Sequence, residues 1–258
     1  MRRGALLLTS VNLSSWAHLM PRQPFPKRYH AGPWLLEPDS LSDRLDHASI
    51  IGRCIGLWSS VELQMALLLS ILLKAENTEA TVSVYQVLRR FTPRYQALEA
   101  AGAATLSDKD KELLDAVLFM CVELQGQRNA LAHGSWGASS QAPNSILWCE
   151  PSDMAQHAIG TLRRETVTGK RPPSDEIADA LVRKVYHYTV KDLESLHKQI
   201  KQLQKTVFNF CVYLRSPSKP TWNVTPREEQ YDRLRNLARI RSALRALHAR
   251  AAKNKKPQ

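Results

Sequence analysis

The stretch DLESLHKQIKQLQKTVFNFCVYL, residues 192–214, decides the fold class. Leu193, Leu196, Ile200, Leu203, Val207, Phe210 and Leu214 recur in it at spacings of three and four without a miss. Side chains so spaced form one stripe on a helix. Over three heptads the stripe becomes a seam that must lie along another helix.

The partner for that seam is sought upstream. From His47 to Lys74, the residues Ile51, Ile55, Trp58, Glu62, Met65, Leu69 and Leu72 fall at alternating spacings of four and three. Leu57, Val61 and Leu68 make other faces apolar as well, so a central helix buried on several sides is predicted. Glu62 is the odd member of its stripe. A second helix is expected over Glu79 to Ala101, with a break before Pro93. Ser107 followed by Asp108, Asp110 and Glu112 signals a helix start. The hydroxyl caps free amides, and the acids favour the positive end of the helix dipole. This third helix runs through Leu114, Leu118, Cys121 and Gln125 to Arg128, and Gly134 is expected to end it in the left-handed conformation.

Between the third helix and the seam helix the pattern changes. Gly137 to Ser145 reads as loop, Ile146-Leu147-Trp148 as a short strand and Val185 to Tyr188 as its partner. The intervening residues, with Gly169, Pro172 and Pro173, read as loop plus a short helix near Asp175 to Leu181. The expected fold is mainly α: an antiparallel bundle of four to five helices, a small β-hairpin insertion after the third helix, and a C-terminal basic helix. No internal repeat is present.

The ends of the chain differ from its middle. Residues 1–46 hold Pro21, Pro24, Pro26, Pro33 and Pro38 and no sustained periodicity, so a disordered leader is expected there, with Met20 as an alternative start. Arg2 and Arg3 before Ala5-Leu6-Leu7-Leu8 mimic a short signal peptide. Thr9, Ser10 and Asn12 break the apolar run, however, and no small-x-small cleavage site follows. Residues 47–215 form the expected helical domain, and residues 216–258 a linker and a basic amphipathic helix. Thr225-Pro226-Arg227-Glu228 reads as a capping box that opens this helix, with Leu237, Ile240, Leu244, Leu247 and Ala251 on one side.

Composition narrows the class. A chain of 258 residues with 43% hydrophobic content can build one sizeable core, and no apolar run approaches the ~20 residues that span a bilayer. Cys54, Cys121, Cys149 and Cys211 stand alone, without metal-ligand spacing, so no metal and no disulfide framework is expected. A reducing, cytoplasmic compartment without membrane attachment fits best. Residues 216–258 carry 11 basic and 3 acidic side chains, which is +8 of the net +12. A basic tail attracts polyanions, whether RNA, DNA or an acidic membrane surface. Arg233, Arg235, Arg239, Arg241, Arg245 and Arg250 are the candidate phosphate contacts of a nucleic-acid clamp. A solvated helix docked on its own bundle or on a dimer mate, and a membrane-surface helix, are the competing readings.

The run Arg128-Asn129-Ala130-Leu131-Ala132-His133 is where chemistry is expected. Arg128 falls on the stripe of Leu114, Leu118 and Cys121, and a guanidinium pointing inward is costly unless paired or facing a wet cleft. A pair with Glu62 or Glu123 would make it a structural lock. Asn129 and His133, four apart, share a helix face. Arg128 and His133, five apart, lie ~140° round the helix, so the arginine must curl to approach the imidazole. Trp136, Trp148, Tyr186 and Tyr188 read as packing aromatics, and His187 and His197 as surface or interface histidines.

Arg-x4-His at the end of a helix, with a polar residue straight after the arginine, resembles the HEPN superfamily (higher eukaryotes and prokaryotes nucleotide-binding). The flanks are similar too: a long first helix passing from Gly52 through Trp58 and Ser59 to Glu62, the run His133-Gly134-Ser135-Trp136, the Leu147-Trp148 strand, and the lead-in from Tyr188 to Asp192-Leu193. The resemblance covers about residues 47–215. It implies a homodimer in which two Arg-x4-His runs face each other, and a metal-independent endoribonuclease needing no cofactor. His133 would move protons and Arg128 would hold the scissile phosphate. Asn129 would orient His133 or bind phosphate, and Glu62 would support Arg128. RNA is the implied partner, and a toxin or phage-defence role under an antitoxin or regulatory protein is the implied setting. The alternative is a non-catalytic HEPN-like module that binds RNA or protein.

Overall fold

A computed structural model describes residues 23–29, 33–169, 179–216 and 225–254, and in it the protein is mainly helical with one antiparallel sheet. The central helix, α1, spans Leu45–Leu72. Helices α2 (Thr78–Val87) and α3 (Phe91–Thr105) follow. The helix is interrupted between Val87 and Phe91, which leaves Pro93 in the first turn of α3, where its missing N–H breaks no helical bond. Helix α4 spans Asp108–His133, and Ser107 accepts from the Asp110 amide as its capping residue. Helix α5 is Pro151–Thr168, and α6, the seam helix, is Val190–Arg215. A reciprocal capping box between Thr189 and Asp192 opens α6: Thr189 N donates to Asp192 Oδ2 at 2.8 Å. Helices α7 (Arg227–Arg235) and α8 (Ala238–Asn254) are the last of the described residues.

Helix α6 packs along α1 more extensively than any other pair of elements, with Leu193, Leu196, Ile200, Leu203, Val207 and Phe210 all buried. The two run in the same direction. Their first turns line one cavity, and farther on Cys211 Sγ on α6 approaches the Gln64 carbonyl oxygen on α1 at 3.9 Å. Helix α4 runs against both, since Asp110 in its first turn accepts a hydrogen bond from Tyr213 near the end of α6. The bundle is thus partly parallel rather than antiparallel throughout. By length and composition α1 could cross a membrane, but here Ile50, Cys54, Trp58, Val61, Met65 and Leu68 are closed into the bundle core.

The insertion is larger than a hairpin. Five strands, β1 (Gln23–Pro24), β2 (Trp34–Leu36), β3 (Ser135–Ser139), β4 (Ser145–Cys149) and β5 (Val185–Thr189), form an antiparallel sheet in the order β1-β5-β4-β3-β2. The leader expected over residues 1–46 supplies both edge strands; residues 1–22 and 30–32 of it lie outside the described residues. Part of the expected loop at 137–145 is β3. The sheet closes the end of the bundle where α4 finishes and α1 and α6 begin. Its alternation explains why every residue of β4 is buried. Ile146 and Trp148 join the bundle core, with Trp136 and Tyr188. Leu147 and Cys149 point the other way, into a second cluster with Phe25, Val182 and Val185.

Two further departures have local causes. The stretch 151–168, read as loop, is the helix α5, ended by Gly169 in the left-handed conformation (φ 68°). None of its residues is fully buried, so it lacked the continuous apolar stripe that marks the other helices. Part of the helix expected at Asp175–Leu181 falls outside the described residues, although residues 179–182 are helical. The tail is two helices bent at Asn236, not one. Thr225 does not cap α7, since Pro226 occupies the capping position without a side-chain bond. Tyr231, Leu234, Ile240, Ala243 and Leu244 belong to the main core, so the tail is docked on the bundle, with α8 lying against α4.

Candidate active site

Arg128, Asn129 and His133 sit in the last two turns of α4, next to the sheet. Trp148 of β4 fixes that helix end. Its indole Nε1 donates to the Ala130 carbonyl oxygen at 2.9 Å, one of the terminal carbonyls. Gly134 then leaves the helix in extended conformation (φ −68°, ψ 150°), not the left-handed one expected. The glycine is required for space: a Cβ there would lie 1.6 Å from Trp148 Nε1. Trp148 packs edge-on to Tyr188, with ring centroids 6.5 Å apart, and tilted against Tyr186 at 6.0 Å. The aromatics are core elements, as read, but they also place the helix end. No sequence pattern singled out Trp148 or Gly134 for that task. A lone indole N–H in an otherwise apolar strand was the available signal.

His133 is exposed, and Arg128 and Asn129 are half-buried. The Arg128 guanidinium curls towards the face that carries His133, where its Nη1 donates to Asn129 Oδ1 at 3.3 Å. Arg128 Nε is buried with no hydrogen-bond partner among the described residues, and the same holds for both amide atoms of the adjacent Gln127. Gln127 is 4% exposed and had no part in the sequence reading. Buried polar groups without partners are uncommon, and their clustering marks this turn as different from the rest of the helix.

The acids that could have made Arg128 a plain lock are engaged elsewhere. Glu62, expected to support Arg128, instead accepts from Arg94 Nη1 at 3.2 Å, and Arg94 also lies over the Tyr85 ring, 5.1 Å from its centroid. Glu123 faces Arg239 and Arg250 from α8. Burial raises its carboxyl above the usual range, and the two guanidiniums partly offset this. Among the described residues Arg128 has no ion-pair partner, so its charge is available to an anion. No three His, Cys, Asp or Glu side chains gather as a metal-binding group among the described residues.

The tail arginines do not act as one set. Arg233 pairs with Glu229 at 2.5 Å, Arg239 donates to Gln199 on α6 at 3.1 Å, and Arg250 lies over the Phe119 ring at 5.1 Å. Arg235, Arg241 and Arg245 line a shallow depression where α7 meets α8. His187 is tied into the sheet, its Nδ1 3.1 Å from the Gln23 carbonyl oxygen.

Comparison with known protein families, with characterised proteins and with solved structures finds no match to this chain.

Proposed function

We propose that this protein is a metal-independent endoribonuclease of the HEPN type, acting as a homodimer on RNA. The observation that carries the reading is the state of Arg128: held at a helix end, turned towards Asn129 and the His133 face, and without a carboxylate partner among the described residues. A guanidinium so placed suits a scissile phosphate and the charge that builds on it in the transition state. A neutral imidazole can take the proton from a ribose 2′-hydroxyl. The 2′-oxygen then attacks phosphorus, the bond to the 5′-oxygen breaks, and a protonated imidazole supplies that oxygen with its proton. One chain carries one such imidazole at this site, so the two proton transfers call for His133 from each of two copies. A toxin or phage-defence role held in check by a regulatory protein would suit such an activity.

The test compares purified wild type with His133→Ala on mixed RNA in the presence of a chelator. Cleavage by the wild type alone is the expected result. Cleavage that survives the substitution, or none by either protein, removes the enzyme reading and leaves the silent RNA- or protein-binding module.

A further inference from the structure

We infer that the elbow between α7 and α8 is a binding notch for the phosphodiester backbone of single-stranded RNA, an inference that rests on the ribonuclease reading for its choice of nucleic acid. Arg235, Asn236, Arg241, Leu244, Arg245 and His248 line a depression of about 460 Å³ there. Its shape follows from the bend. Helix α7 ends at Arg235, and α8 starts at Ala238 in a new direction. Arg241, Arg245 and His248 then recur at four and three along one side of α8. The neighbouring side, with Ile240, Ala243 and Leu244, is closed against the bundle.

Charge separates these arginines from the rest of the tail. Arg241 and Arg245 are exposed and have no ion pair among the described residues; Arg245 Nε only reaches the Arg241 carbonyl oxygen at 3.3 Å. Arg235 is exposed, with a hydrogen bond to the Tyr231 hydroxyl at 3.4 Å. The notch does hold one acid at its border, since His248 Nε2 meets Glu112 Oε1 at 2.9 Å. Three guanidiniums around one depression repel one another, and an anion relieves that repulsion. Their planar forks match phosphate oxygens, whereas the open, shallow form and a lining without Phe, Tyr or Trp offer no base pocket. A membrane surface is a poor occupant. An interfacial helix inserts a free apolar face, and the apolar face of α8 is already buried.

The test uses the full chain carrying His133→Ala, so that binding is read without cleavage. A labelled single-stranded RNA oligonucleotide is titrated by fluorescence anisotropy over a series of salt concentrations. The notch variant R235A/R241A/R245A is compared with a charge-matched control, R89A/R90A/R163A, built on exposed arginines elsewhere. The notch variant is expected to lose about tenfold or more in affinity near physiological salt. Its salt slope should fall by about 2, the value for three lost phosphate contacts on a single strand. The control should change by less than about threefold. A matching triple Lys variant, which keeps the charge but not the fork, should fall between wild type and the Ala variant, and it settles the matter if the Ala variant does not fold. Equal losses in notch and control variants, or an unchanged slope, overturn the inference. So does equally tight, equally notch-dependent binding to duplex DNA of the same length, or notch-dependent binding to phosphatidylserine vesicles that exceeds RNA binding. Because no cleavage is read, notch-dependent RNA binding can stand where the His133 comparison fails, and the reverse.

Discussion

The two ends of α4 are built on opposite principles. In its first turn Asp110, 7% exposed, accepts from the Tyr213 hydroxyl at 2.5 Å and from Arg227 Nη2 at 3.0 Å. Arg227 also lies 4.9 Å over the Tyr213 ring, and Lys109 sits 3.8 Å over Tyr231 while pairing with Glu228 at 2.6 Å. Burial first, and the bond to Asp110 after it, push the Tyr213 hydroxyl up to about 12. The buried carboxylate is satisfied on both oxygens, and the groups that satisfy it join α4, α6 and α7. In the last two turns the same helix holds Gln127 and Arg128 with unpartnered buried atoms and His133 open to solvent. One end is saturated and structural. The other keeps unmet hydrogen-bonding capacity at a fixed position, the condition a binding or catalytic site needs and a purely structural helix end avoids.

Breaking the comparison at the open end should have the largest effect, on activity alone. Arg128→Ala should lower RNA cleavage by about 10²–10³-fold, the scale of a lost transition-state contact to charge, while thermal unfolding stays close to wild type. A large drop in melting temperature with unchanged specific activity would make Arg128 structural instead.

The saturated end should respond in the opposite sense. Asp110→Ala leaves Tyr213 and a partly buried Arg227 without their acceptor and should cost about 2–4 kcal/mol in denaturant unfolding. The residual folded protein should cleave RNA normally. A loss within ~0.5 kcal/mol would show that the contacts across α4, α6 and α7 are not coupled through this carboxylate.

Gly134→Ala sharpens the comparison, because it disturbs the support of the open end without touching its polar groups. The added methyl collides with the Trp148 indole and should break its bond to Ala130. A destabilisation of about 1–3 kcal/mol is expected from the overpacking, together with a fall in cleavage as the helix end shifts. Tryptophan fluorescence and unfolding curves read the first effect. Unchanged stability would mean that the strand accommodates the methyl freely.

The smallest effect expected is on pH dependence. His47, 4% exposed at the start of α1, has its imidazole pKa lowered, chiefly by burial and then by Arg44. The unfolded chain therefore takes up a proton at higher pH than the native one. The contribution of His47 is complete above about pH 6.5 and is lost as pH falls from there through the lowered native value. Unfolding free energies between pH 7.5 and 5 should decline less steeply in His47→Gln than in wild type. Parallel curves would show that His47 is not the group responsible.

The helices were legible because each carries its own period. The stripe of α6, the all-round apolar α1 and the Ser107 cap of α4 are local statements, and each appears where it was read. The sheet was only half legible. Ile146 to Trp148 and Val185 to Tyr188 announced themselves by residue type, but Gln23–Pro24 and Trp34–Leu36 are too short to show a period and become strands only because β5 and β3 present free edges. Helix α5, with no fully buried residue, had no complete stripe to display.

For the site, the sequence alone determined which groups share the last turns of α4, since 3.6 residues per turn sets where Arg128, Asn129 and His133 project. Only the tertiary structure decided what those groups are free to do. Glu62 goes to Arg94 and Glu123 faces α8, Trp148 anchors the helix end, and four of six tail arginines are engaged by neighbouring side chains. Helical phase is local geometry, but whether a charge is paired depends on which distant residues the fold brings within reach.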